Sequence, residues 1–73
     1  MNMTNNLNTL KNRFTEKIIE LRESKGITMS DFASAIGVSR QAIYNYECGD
    51  MPKIEVIYKI AKFFKVNIFE LFN

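Results

Sequence analysis

Four polar side chains recur within one short segment, residues 37–49, which reads GVSRQAIYNYECG. At helical spacing they share one side of a helix, while the apolar residues between them face the opposite side, toward a core. The polar residues are Arg40, Gln41, Tyr44 and Asn45, and the apolar ones are Val38, Ile43 and Tyr46. Guanidinium, amide and phenol groups in such an arrangement either solvate a surface or hydrogen-bond to a partner, and the segment alone leaves both readings open.

Other kinds of chemistry have little to build on in this chain. Its 73 residues include no histidine and a single cysteine, Cys48, so we expect neither an internal disulfide nor a metal site. The eight carboxylates are scattered among lysines and arginines, and no glycine-rich phosphate loop is present. We therefore expect no enzyme activity and no cofactor. The net charge of +2 permits a phosphate-binding face without requiring one.

Length and apolar patterning indicate one small domain. A chain of 73 residues with 47% hydrophobic content can fill a single core. No apolar run approaches the roughly 20 residues of a membrane span, and the first residues lack the blocks of a signal peptide. We expect a cytoplasmic protein with no membrane partner.

Helical periodicity runs from about residue 9 to the end, and capping residues divide it. Helix 1 covers about 9–25 and ends at Gly26. Helix 2 runs from a Thr28–Asp31 capping box to Gly37, and helix 3 runs from a Ser39 cap to Gly49. Helix 4 starts with Pro52 in its first turn, and a last short turn starts at an Asn67–Glu70 capping pair. Residues 1–8 are expected to be a flexible arm and residues 9–73 one domain.

The apolar stripes of these helices predict the core. Its expected members are Leu10, Phe14, Ile18, Leu21, Phe32, Ile36, Val38, Ile43, Tyr46, Ile54, Ile57, Ile60, Ala61, Phe64, Val66, Ile68 and Leu71. Ala33 is small where helix 3 would cross helix 2, and Gly37 can take the left-handed turn between them. Together these features predict a helix-turn-helix, in which the second helix enters the major groove of DNA.

From about residue 10 to 72 the chain resembles the XRE-like helix-turn-helix domains of phage repressor and Cro proteins. The resemblance runs through ELRESKGITMSDFASAIGVSRQAIYNYECG and IYKIAKFFKVNIFEL. It implies an all-α, five-helix, lambda-repressor-like DNA-binding domain. It also implies a transcriptional regulator, most often a repressor, that recognises an inverted-repeat operator in double-stranded DNA as a dimer.

The resemblance assigns DNA contacts to individual residues. Base edges would be read by Arg40, Gln41 and Asn45, with Tyr44 beside them and Ala42 against a thymine methyl group. The chemistry agrees, because arginine pairs with guanine O6 and N7, and glutamine or asparagine with adenine N6 and N7. The alternative for all of them is a solvated helix face.

Phosphate contacts are expected at the start of helix 2 and near helix 3. The resemblance and the capping pattern point to Thr28, Met29, Ser30 and Ser39. Three residues depart from the family pattern: Met29 stands where glutamine is common, Cys48 where asparagine is common, and Asp50 where a basic residue is common. These departures predict modest affinity.

Similar domains also carry an ion pair and a dimer surface. Arg22 and Glu47 occupy the positions of a pair that links helix 1 to helix 3. The core can be filled without Phe63, Phe69 and Phe72, and this surplus predicts a homodimer interface at the C-terminal end. An alternative function is a protein-interaction module that keeps the fold and uses its exposed aromatic and methionine surface to bind another regulator or a toxin. Met29, Asp50 and the mild net charge favour it.

Overall fold

The computed structural model describes residues 6–73, which form four α-helices and a final 3₁₀ helix. The elements are α1 (Asn6–Lys25), α2 (Met29–Ile36), α3 (Arg40–Glu47), α4 (Ile54–Phe64) and the 3₁₀ helix (Ile68–Phe72). The all-α expectation is confirmed for these residues. The expected count of five α-helices is not, because the last element is too short for an α-helix and closes with an i, i+3 bond from Glu70 N–H to Asn67 O at 2.9 Å. None of the helices in the described part is both long and apolar enough to cross a bilayer.

The first helix begins earlier than the sequence predicts. Residues 6–8 of the expected arm belong to α1, whereas residues 1–5 lie outside the described residues. The apolar stripe of α1 therefore continues outward from buried Phe14 to Leu10 and Leu7, which are 46% and 63% exposed. Leu10 was expected in the core, and this is wrong because the N-terminal turns of α1 run beyond the elements that cover Phe14.

The helix-turn-helix follows the capping residues. Asp31 N–H donates to Thr28 Oγ1 at 3.0 Å and Ala42 N–H donates to Ser39 Oγ at 3.0 Å, so both N-caps form as expected. Between the two helices Gly37 adopts φ 76°, a left-handed conformation that costs glycine little because it has no Cβ. The turn prediction is confirmed, and it fixes the angle at which α3 leaves α2.

The core lies where the four α-helices and the 3₁₀ helix meet. Its buried apolar residues are Phe14, Ile18, Phe32, Ala33, Ile36, Ile43, Ile57, Ile60, Ala61 and Leu71. Ile54 was expected there and is 66% exposed instead. The reason is that Pro52 lies before the Lys53 N-cap and not in the first turn, so Ile54 is the first residue of α4 and its buried stripe starts at Ile57.

Two of the three surplus phenylalanines pack on the chain's own core. The ring of Phe72 stacks on Phe14 with centroids 5.4 Å apart, and the ring of Phe63 stacks on Phe32 at 5.9 Å. Only Phe69 is strongly exposed, at 74%. Phe63 and Phe72 are therefore half-buried rings at the core's edge, and a role for them in a dimer interface stays a prediction.

The end of α4 offers a test of backbone strain. Lys65 holds a left-handed conformation with φ 58°, which is costly for a residue with a side chain. Lys65→Gly should raise the free energy of unfolding by about 0.5 kcal/mol, since relief of strain exceeds the entropy gained by the unfolded chain. Urea denaturation measures the change. Lys59→Gly, inside α4, is the control and should lower the free energy of unfolding by about 1 kcal/mol. If the free energy of unfolding fell equally in both variants, the strain at Lys65 would be contradicted.

Candidate nucleic-acid interface

The outer face of α3 carries the residues expected to read bases. A helix turns about 100° per residue, so Gln41 and Asn45 lie within about 20° of the line opposite Ile43, which is fully buried. Tyr44 and Arg40 lie together on one side of them, about 100° and 60° from Ile43. Arg40, Gln41 and Tyr44 are exposed, and Ala42 and Asn45 are half-buried. The five residues therefore lie around the exposed part of one helix, with their polar groups on its outer side.

Two pairs of side chains one turn apart order this face. Gln41 Nε2 donates to Asn45 Oδ1 at 3.0 Å, a contact that the sequence analysis did not include. Tyr44 lies one turn before Cys48, which is exposed. A hydrogen bond with the Cys48 side chain raises the pKa of the Tyr44 phenol, so this group stays a neutral hydroxyl at physiological pH.

An ion pair holds α3 to α1. Arg22 Nε donates to Glu47 Oε2 at 2.6 Å, and Arg22 Nη2 donates to Glu47 Oε1 at 3.1 Å. The two side chains are only 14% and 7% exposed. Hydrogen bonding to Glu47 raises the pKa of the Arg22 guanidinium, which therefore remains cationic. The structure thus brings the two residues together with the bidentate geometry that orients a helix most firmly.

Arg22 also makes a contact that no spacing rule predicts. Its Nη1 donates to the main-chain oxygen of Ile27 at 3.0 Å, in the link between α1 and α2. One guanidinium therefore fixes the end of α1, the start of the helix-turn-helix and the last turn of α3. Only the folded backbone places the Ile27 carbonyl within reach.

The residues expected to contact phosphate lie at the N-termini of α2 and α3. Thr28, Ser30 and Ser39 are exposed, whereas Met29 is half-buried and packs against the core. Any phosphate contact of Met29 must therefore use its main-chain N–H, which at a helix start has no intrahelical acceptor. The Ser39 oxygen accepts from Ala42 N–H and keeps its own hydrogen to donate.

Two carboxylates oppose phosphate binding at this surface. Asp31 closes the α2 capping box with an Oδ2 that accepts from Thr28 N–H at 3.5 Å, so its charge lies at the same helix end. Asp50 is exposed in the loop after α3, and its main-chain N–H donates to Asn45 O at 3.0 Å. Lys53, exposed at the α4 N-cap, is the cation of that loop. Within residues 6–73, no three acidic or cysteine side chains gather closely enough to hold a metal ion.

A second exposed surface lies outside α3. Leu10, Ile54, Ile68, Phe69 and Phe72 line an apolar groove of about 290 Å³ between the N-terminal half of α1, the start of α4 and the 3₁₀ helix. We call this surface the apolar groove. The sequence analysis found only its two phenylalanines, because Leu10, Ile54 and Ile68 have the spacing of core residues.

The pattern of the family described as Helix-turn-helix matches residues 18–71, which include α2, the Gly37 turn and α3. The chain belongs to the XRE-like helix-turn-helix family. In this helix-turn-helix protein, the match spans both partners of the Arg22–Glu47 pair and every residue expected to contact DNA.

Curated relatives of this helix-turn-helix protein are named as transcriptional regulators. The cryptic phage CTXphi transcriptional repressor RstR of Vibrio cholerae is 39% identical over 59 residues, 80% of this chain and 53% of that protein. The HTH-type transcriptional activator BcrR of Enterococcus faecalis is 41% identical over 61 residues, 82% of this chain and 30% of that protein. An uncharacterized HTH-type transcriptional regulator of Methanocaldococcus jannaschii is 40% identical over 57 residues, 77% of this chain and 86% of that protein. The chain thus spans about half or less of the first two relatives. No solved structure matched it significantly.

Proposed function

We propose that this helix-turn-helix protein is a sequence-specific DNA-binding transcriptional regulator that inserts α3 into the major groove. The observation that carries the proposal is the pair of amide side chains, Gln41 and Asn45, on the α3 face opposite buried Ile43, with the exposed Arg40 guanidinium at the edge of that face. Such groups hydrogen-bond to base edges. The bidentate Arg22–Glu47 pair holds that face at a fixed angle to the domain, and base reading requires a fixed angle.

Repression is the regulatory outcome that we propose. A repressor needs only to occupy its operator, and a DNA-binding domain alone can do so. One relative is named a repressor and another an activator, and both contain more chain than the part matched here. Activation would need contacts to the transcription machinery beyond the surface that binds DNA.

Phosphate contacts in this proposal come from the two helix starts. The main-chain N–H groups of Met29 and Ser30 lie at the positive end of α2, and Ser39 lies at the same end of α3. The carboxylates of Asp31 and Asp50 reduce the attraction. We therefore expect moderate affinity, with specificity supplied mainly by α3.

The protein is proposed to bind DNA as a homodimer through the apolar groove. Phe69, Ile54 and Leu10 expose 74%, 66% and 46% of their surface, and a contiguous apolar patch on a small domain commonly marks an interface. A two-fold axis through the groove would bring the same apolar patch of both copies together, which is the arrangement of an isologous interface. The groove includes no residue of α3, so both recognition helices stay free.

A protein-interaction module that binds another regulator or a toxin is the second candidate. It is favoured by the same exposed groove and by the two carboxylates beside the expected phosphate sites. It gives no role to the Arg40, Gln41 and Asn45 face. We therefore prefer DNA binding.

Selection of bound sequences from random double-stranded DNA tests the proposed function. We expect one enriched motif, arranged as an inverted repeat. The affinity for that motif should fall steeply with salt, with a slope of log K against log salt concentration of about −0.9 per neutralised phosphate. Failure to enrich any motif, together with binding that salt does not weaken, would favour the interaction module.

A further inference from the structure

The hydrogen bond between Gln41 and Asn45 limits what the outer face of α3 offers to a base. Gln41 Nε2 donates to Asn45 Oδ1 across 3.0 Å, in the i, i+4 geometry that sets two side chains next to each other on a helix. A glutamine amide has two N–H donors and one carbonyl oxygen. In this pair one of the two donors is already used.

A glutamine with both N–H donors free can hydrogen-bond to either purine, adenine or guanine. With one N–H and its oxygen it matches adenine, which presents N7 as an acceptor and N6–H₂ as a donor in the major groove. With both N–H groups it matches guanine, which presents the two acceptors N7 and O6. The adenine contact uses the N–H on the same side of the amide as the oxygen, so the other N–H can remain on Asn45. Guanine can then receive only one hydrogen bond, from the remaining N–H, so its contact is weaker than the two-bond adenine contact.

We propose that Asn45 makes Gln41 selective for adenine over guanine, so that the two residues read DNA as one unit. In this unit Asn45 is a positioning residue for Gln41. Its own NH₂ group remains available to a neighbouring acceptor, such as thymine O4, guanine O6 or a phosphate oxygen. The inference rests on the proposed function, because it concerns the same α3 face bound to DNA.

The test is selection from random DNA with the full chain and three variants. Gln41→Ala identifies the base pair that residue 41 reads, as the position where preference disappears. There we expect the wild type to favour adenine over guanine about tenfold or more. Asn45→Ala should reduce this ratio to roughly threefold or less, because the released N–H can make the second hydrogen bond to guanine. Asn45→Asp keeps an acceptor oxygen and should keep the ratio, although its negative charge weakens binding to every sequence.

The ratio of adenine to guanine is compared within each variant, so a uniform loss of affinity cancels. Ser34→Ala, at an exposed position of α2, is the matched control and should keep the wild-type ratio. Circular dichroism checks that each variant is helical. A wild type that prefers guanine at this base pair, or an Asn45→Ala variant that keeps the tenfold preference, would overturn the inference while DNA binding stands. A wild type that enriches no motif would overturn the proposed function, and the inference with it.

Discussion

Replacing Glu47 with alanine should lower the free energy of unfolding by about 3 kcal/mol and weaken operator binding at the same time. The cause is the Arg22 guanidinium, 14% exposed, which would lose both hydrogen bonds to Glu47 and keep only the one to Ile27 O. An uncompensated charge at the domain interior is costly. The estimate lies at the lower end for buried pairs because Arg22 retains some contact with water. Thermal and urea denaturation measure the loss.

A matched control separates the buried pair from surface charge. Glu20 accepts from Lys17 on α1 at 3.3 Å and is 69% exposed, so Glu20→Ala should cost less than about 0.5 kcal/mol. Combining Glu47→Leu with Arg22→Met removes both charges and should recover much of the stability. If Glu47→Ala melted at the wild-type temperature, the pair would contribute nothing and the proposed tether of α3 would be wrong.

DNA binding provides a second measure of the same tether. The apolar double variant keeps a folded domain but loses the bidentate link that fixes the angle of α3. We therefore expect it to regain melting temperature more completely than operator affinity. Full recovery of both would show that the packing of Ile43 alone orients the helix.

The sequence predicted the caps and the turn, which are set by interactions between residues close together in the chain. The Thr28–Asp31 and Asn67–Glu70 boxes, the Ser39 cap and the Gly37 turn each depend on residues at most five positions apart, and all form. Local spacing also places Gln41 and Asn45 opposite Ile43.

The sequence did not predict which residues of core spacing lie beyond the packed part of a helix. Leu10 and Ile54 have core spacing, but spacing does not reveal that α1 and α4 each begin outside the packed region. The stacking of Phe72 on Phe14 joins the 3₁₀ helix to α1, two elements far apart in the sequence. The Gln41–Asn45 bond depends on the rotamers of two flexible side chains, which sequence spacing permits but does not determine.

The exposed apolar groove leads to the second large effect, a change in oligomeric state. If the protein forms the proposed homodimer, Phe69→Asp should convert it to a monomer in sedimentation experiments at matched concentrations, because it places a charge in the proposed apolar contact. The fold should survive, since Phe69 is 74% exposed in the monomer. Asn12→Asp, at an exposed position of α1, adds the same charge outside the groove and should leave the mass unchanged.

Loss of the dimer should lower operator affinity more than loss of one base contact does. Two linked recognition helices bind the two half-sites of an inverted repeat cooperatively, with a gain of about 10²-fold or more over one. Phe69→Asp should therefore lose about that factor on an operator whose half-sites lie roughly 10 base pairs apart, and should bind an isolated half-site like the wild type. A variant that changes neither the mass nor the operator affinity would show that dimerisation does not use the groove. Loss of operator affinity without a change of mass would show that the groove closes only on DNA, where the half-sites hold the two copies together at high local concentration.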